Sequence, residues 1–233
     1  MKSVVLSSGG IDSTTCLAMA VKEYGVKNVA TLSVVYGQRH VKELESSEAV
    51  ARWYGVQRYV LDLAHVFANC QCPLIAGAKS SVPHGSYAQQ QKQKAGVVAT
   101  YVPFRNGLML SASASFAMSL FPEDEVCIWI GAHADDAAGN AYPDCSEDFL
   151  SEMGMAISIG TDERVSLVAP LSGMNKAQVV KAGLELNAPY HLTWSCYEGG
   201  DKPCGQCGTC IDRAEAFRAN GVEDPALASE VRR

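Results

Sequence analysis

Four cysteines fall within fifteen residues near the C-terminus: Cys196, Cys204, Cys207 and Cys210. Gly199, Gly200, Gly205 and Gly208 lie between them and allow the tight turns that wrap thiolates around one small ion. An all-cysteine set at this spacing suits tetrahedral Zn2+ with no open position, a structural site rather than a catalytic one. C-x2-C-x2-C also occurs in ferredoxin-type iron–sulfur ligation, but the trailing C-x3-C-P is missing. A redox C-x-x-C leaves four cysteines unexplained. Zinc is the expectation, and Cys16, Cys70, Cys72, Cys127 and Cys145 are scattered away from the cluster.

A second group of residues can bind an anion. Ser8-Gly9-Gly10-Ile11-Asp12-Ser13-Thr14 follows an apolar run and opens a helical pattern. Glycines there let backbone N–H groups approach a phosphate, and the helix N-terminus adds a favourable dipole. Neither a Gly-Lys-Ser/Thr ending nor G-x-G-x-x-G is present, so the two commonest nucleotide loops are not met. A glycine turn between strand and helix also arises for structural reasons alone.

The elements that must carry these groups follow from apolar periodicity. Residues 3–7 read as a buried strand, and Cys16, Leu17, Ala20, Val21 and Tyr24 lie at helical spacing up to Gly25. Val29 to Tyr36 is a second strand, followed by a polar turn, a helix with Leu44, Ala51 and Tyr54, and a third strand near 58–63. Residues 68–103, with the polar tract Gln89 to Lys94, break the rhythm and read as a binding loop or an idle insertion. A helix over 108–121 and a strand over 126–130 follow, delivering His133, Asp135 and Asp136 at the strand's carboxyl end. A strand over 165–169 precedes a helix with Ala177, Val180 and Leu184, and a short helix over 211–219 closes the cysteine segment. This alternation predicts an α/β fold with a doubly wound, mainly parallel sheet, whose ligand site lies at the carboxyl ends of the strands.

The 233 residues are 48% hydrophobic and 19% charged, with mean hydropathy +0.01, which excludes a low-hydrophobicity disordered chain. No apolar window is long enough to span a bilayer, and the first six residues lack a signal-peptide core, so a cytoplasmic location without membrane partners is expected. A formal charge of −6 argues against nucleic acid as a partner.

Beyond these readings, S-G-G-x-D-S-T after an N-terminal strand resembles the pyrophosphate loop of the ATP pyrophosphatase (PP-loop) superfamily. The resemblance implies an adenine nucleotide alpha hydrolase-like sheet and ATP cleavage between its α and β phosphates. It places ATP on Leu6, Ser7, Ser8, Gly9, Gly10, Ile11, Asp12, Ser13, Thr14, Thr15 and Cys16, with Gln38, and implies Mg2+ with the nucleotide. Asp12 either caps the loop or helps hold that ion.

Tyr36-Gly37-Gln38-Arg39-His40, Val102-Pro103-x-Arg105-Asn106, Tyr142-Pro143-Asp144-Cys145, Pro170-Leu171 with Lys176, and Trp194-Ser195-Cys196-Tyr197 before the cysteines are similar to the 7-cyano-7-deazaguanine synthase family of queuosine biosynthesis. That resemblance implies a ligase acting on 7-carboxy-7-deazaguanine, ATP and ammonia. Lys176, Arg105 and His133 are then the catalytic candidates. Asp144 is the acceptor for the guanine-like edge and Tyr142 stacks on the ring. It also implies a homodimer, with an ATP-binding domain over 1–190 and a zinc-binding segment over 191–233 packed on it. Two departures mark this chain: a stretch about two residues longer before Tyr142, and Phe104 where a small residue or Asn is frequent. A tRNA-modifying ligase or thiolase with the same loop, and a non-catalytic nucleotide-binding zinc module, are the alternatives.

Overall fold

A computed structural model describes residues 1–93 and 96–228. Lys94, at the end of the polar tract, and residues 229–233 of the expected C-terminal segment lie outside them.

Strands β1 (Lys2–Leu6), β2 (Val29–Val35), β3 (Gln57–Asp62), β4 (Val126–Trp129) and β5 (Val165–Val168) form one sheet in the order β3-β2-β1-β4-β5, parallel throughout. Val5 is the hinge of the register, opposite Thr31 on one side and Trp129 on the other. The chain starts in the middle, winds outward through β2 and β3, then crosses β1 to build the other half. The reversal of winding opens a crevice beyond the carboxyl ends of β1 and β4.

Helices α1 (Ile11–Tyr24), α2 (Lys42–Tyr54), α3 (Tyr87–Gln93), α4 (Arg105–Leu120), α5 (Ala134–Ala137), α6 (Glu147–Gly160), α7 (Lys176–Glu185), α8 (Gly208–Ala219) and α9 (Pro225–Ala228) cover the sheet. Strand residues alternate between two cores, which is why the strands read as continuous apolar runs. Val4, Leu6, Leu32 and Ile128 pack with Leu110, Ala114 and Ala117 of α4 and Leu150 and Ile157 of α6. Val5, Val29, Cys127 and Trp129 pack with Leu17 and Ala20 of α1, Val50 of α2, Val179 and Val180 of α7, and Ala216 and Phe217 of α8. Each fully buried Leu or Phe here contributes about 1.5–3 kcal/mol.

A third cluster joins Tyr36, Phe67, Leu74, Ile75, Val82 and Val102 to Cys196, Cys207 and Cys210. The long connection between β3 and α4 is therefore docked on the cysteine turn. His84 bridges to Cys207 and the Gly85 amide donates to the Gln206 carbonyl at 2.9 Å. Helix α3, which the polar tract did not betray, sits on this connection. Among the described residues no helix is long and apolar enough to cross a membrane.

Candidate active site

The glycine turn crosses from β1 into α1 and lines the crevice with Leu6, Ser7, Ser8, Gly10, Ile11, Asp12 and Ser13. Gly9 has φ +81°, and a Cβ there would run into the Glu43 carbonyl and stand 2.5 Å from the Ser47 amide. Only glycine lets the loop rest on α2 in this way. Gly131, at the end of β4, plays the matching part: a Cβ would lie 2.9 Å from the Asp12 carbonyl carbon. Ser7 Oγ is buried without a partner, as suits a loop built to meet an anion. Thr15 and Cys16 point away from the crevice, Thr15 Oγ1 to Tyr190 Oη at 2.7 Å and Cys16 Sγ to the Ile130 carbonyl at 3.6 Å. Thr14 is buried within the helix. Gln38 lines the crevice while its Oε1 accepts from the Tyr36 amide at 2.9 Å.

Lys176, at the first position of α7, reaches across to place Nζ 2.7 Å from both Asp12 oxygens and 3.3 Å from His133 Nε2. An Asn175/Gln178 capping box and the Asp135 carboxylate, which accepts from the Lys176 amide at 2.7 Å, fix the start of this helix. Burial opposes the charges of Lys176 and Asp12, but their pairing prevails, holding the lysine pKa above its ordinary value and the aspartate below it. His133 is 3% exposed, its Nε2 also 3.3 Å from Asp136 Oδ2. Burial raises the pKa of Asp136 against the pull of His133 and Lys176. Of the adjacent carboxylates, Asp136 thus lines the crevice and Asp135 serves α7.

The opposite end is aromatic. Arg105, the first residue of α4, lies with its guanidinium 5.1 Å from the Tyr36 ring centre and beside Glu43. Glu43 has its pKa pushed up to about 6 by burial, in spite of Arg105. Sequence reading missed Glu43 because an acid in the first turn of a helix is ordinary dipole compensation. Tyr142 is buried, donating or accepting at 2.6 Å with Thr100 Oγ1, and its ring meets Tyr87 edge-on at 5.8 Å. Tyr87 Oη lies 3.0 Å from Tyr197 Oη, and all three rings line the crevice. Asp144 stands behind this wall: its Oδ2 accepts from the Asn106 amide at 2.9 Å, capping α4 beside Arg105. Phe104 has φ +53°, a backbone that Asn or Gly adopts at least cost, and its ring fills the space above Gly107.

The four cysteine sulfurs lie within 4.8 Å of one another, compatible with one shared ion. Amides support them: Cys204 donates to Cys196 Sγ at 3.3 Å, and Gln206 and Cys207 donate to Cys204 Sγ at 3.4 and 3.3 Å. This donor set, with three of its members buried, fits a closed metal site. The strand of chain entering it, Trp194 to Tyr197, forms one wall of the crevice, so the cysteine segment is part of the site's architecture.

The family model described as queuosine biosynthesis protein QueC matches residues 2–221. Three similar proteins carry the name 7-cyano-7-deazaguanine synthase. That from Archaeoglobus fulgidus is 39% identical over 231 residues, 99% of this chain and 91% of its own length. That from Caldicellulosiruptor saccharolyticus is 40% identical over 229 residues, covering 97% and 94%. The protein from Marinobacter nauticus is 38% identical over 226 residues, covering 95% of each.

Proposed function

This chain belongs to the queuosine biosynthesis protein QueC family, and we propose that it is a carbon–nitrogen ligase converting 7-carboxy-7-deazaguanine, ammonia and ATP to 7-cyano-7-deazaguanine. The names of its relatives support the product. The observation that carries the chemistry is the Lys176 ammonium held between Asp12 and His133 at the mouth of the glycine turn.

In this reading the substrate carboxylate attacks the α phosphorus of MgATP, and the α–β bond breaks to release pyrophosphate. The amides of the loop and the Lys176 ammonium stabilise the charge that gathers on the phosphates. Ammonia then attacks the activated carbonyl, AMP leaves, and the amide forms. A second ATP activates the amide oxygen in the same way. Loss of AMP and of the nitrogen-bound protons leaves the nitrile. Asp136, buried beside His133, is the acceptor for these protons.

Arg105 and the rings of Tyr87, Tyr142 and Tyr197 hold the flat purine-like ring at the far end. For Asp144 to accept its N1–H and amine, the carboxylate must turn away from the Asn106 amide. The four cysteines hold Zn2+, which braces the Trp194–Tyr197 wall and takes no part in the reaction. A cytoplasmic homodimer completes the expectation.

The test is to incubate the metal-loaded protein with ATP, Mg2+, ammonium and 7-carboxy-7-deazaguanine and to follow purine and nucleotide by mass spectrometry. Nitrile with AMP and pyrophosphate is expected. Nitrile with ADP would overturn adenylation, and no nitrile from folded protein would overturn the substrate assignment.

A further inference from the structure

Arg213 lies on α8 away from the crevice, 6% exposed, and no step above uses it. Its Nε and Nη2 donate to the two oxygens of Asp224 at 2.6 and 2.8 Å, a bidentate pair that fixes the guanidinium plane. The remaining donors go to one short segment. Nη1 bonds Thr193 Oγ1 at 2.9 Å and Ser195 Oγ at 3.1 Å, and Nη2 bonds the Tyr190 carbonyl at 3.2 Å. The residue between the two hydroxyls is Trp194, whose amide donates to the Gly9 carbonyl at 3.0 Å.

This last bond sets the orientation of the anion site. In a planar trans peptide the carbonyl and the following N–H point in opposite directions. Holding the Gly9 carbonyl toward Trp194 therefore turns the Gly10 N–H the other way. That amide has only a long bond, 3.3 Å to Ser8 Oγ, and belongs to a residue lining the crevice. Gly9 and Gly10 have little stiffness of their own to keep this orientation.

We propose that Arg213 is a positioning residue for the nucleotide loop: by clamping Thr193 and Ser195 it holds the Trp194 amide on Gly9 and so aims the Gly10 N–H at the phosphates. The inference rests on the reading that ATP binds this loop.

The test compares wild-type metal-loaded protein with Thr193→Val, which removes one clamp partner at nearly constant shape, and Arg213→Lys, which keeps the charge. Calorimetry measures pyrophosphate, ATP and adenosine binding separately, after near-ultraviolet circular dichroism has verified the fold. Weaker pyrophosphate and ATP binding by about tenfold, with adenosine unchanged, is expected for loss of charge-assisted hydrogen bonds. Unchanged pyrophosphate affinity in both variants, or an equal loss for adenosine, overturns the clamp alone. Wild-type protein that binds neither ATP nor pyrophosphate overturns the clamp and the nucleotide reading together.

Discussion

Lys176 and Asp12, 164 residues apart in the chain, meet with the lysine nitrogen 2.7 Å from each carboxylate oxygen. Each sits in the first turn of its helix, Asp12 in α1 and Lys176 in α7. An acid is favoured at a helix N-terminus and a cation is not. The lysine therefore occupies a position that local helix energetics disfavours, and the Asp135 and Asn175 caps offset that cost.

Replacing Lys176 by Met is expected to lower turnover by about 10²–10³-fold through loss of charge stabilisation. The pair also has a pH signature. Asp12, held below its ordinary value, contributes stability that is complete above pH 3.8 and lost as pH falls through the depressed value. Lys176, held above its ordinary value, contributes stability that is complete below pH 10.5 and lost as pH rises through the raised value. The difference in urea midpoint between wild type and Lys176→Met should be flat from about pH 5 to pH 9 and shrink outside that window.

Glu43 behaves oppositely. Burial raises it from 4.5 to about 6, so folding favours its protonated form and the stability it contributes fades as pH rises through that range. Glu43→Gln should be more stable than wild type at pH 8 by about 1–2 kcal/mol, and the gain should vanish below about pH 4.5. Chemical denaturation at the two pH values reads both halves of this statement.

The glycines of the loop are not equivalent. Gly9→Ala should destabilise the protein by about 2 kcal/mol or more and abolish ATP binding, since φ +81° and the backbone of α2 both refuse a Cβ. Gly10→Ala meets only Ser8 Oγ at 3.4 Å and the Trp194 carbonyl at 3.6 Å at an ordinary φ of −83°. It should cost less than about 1 kcal/mol by thermal unfolding.

Elemental analysis should find about one Zn2+ per chain, with no iron–sulfur absorption. Cys207→Ser or prolonged chelation should remove it, lower the melting temperature and weaken ATP binding, because Trp194, Ser195 and Tyr197 wall the crevice. Metal loss with ATP affinity intact would separate the two regions.

The sheet was legible because β1 and β4 are buried on both faces, and such strands leave unbroken apolar runs such as Val4-Val5-Leu6 and Val126 to Ile130. The glycine turn and the cysteines were legible because their chemistry depends on spacing along the chain. What stayed hidden depends on side-chain direction. Nothing in Asp135-Asp136 tells which carboxylate caps α7 and which lines the crevice. The Asp144 carboxylate is committed to the Asn106 amide only because the 143–145 turn ahead of α6 packs on the start of α4. Nothing along the chain singles out Arg213, which the fold buries between Asp224, Thr193 and Ser195.

The glycine turn is backed by α2 so closely that no methyl group fits behind it. Its seat against α2 at Gly9 leaves it no room to swing as a flap. Any closing motion belongs to the opposite jaw, where the Tyr87 and Tyr197 hydroxyls meet and the connection carrying Tyr87 rests on the cysteine turn. The crevice is thus a vice with one jaw cast in backbone and the other made of side chains, and a ligand must fit the first and can reshape only the second.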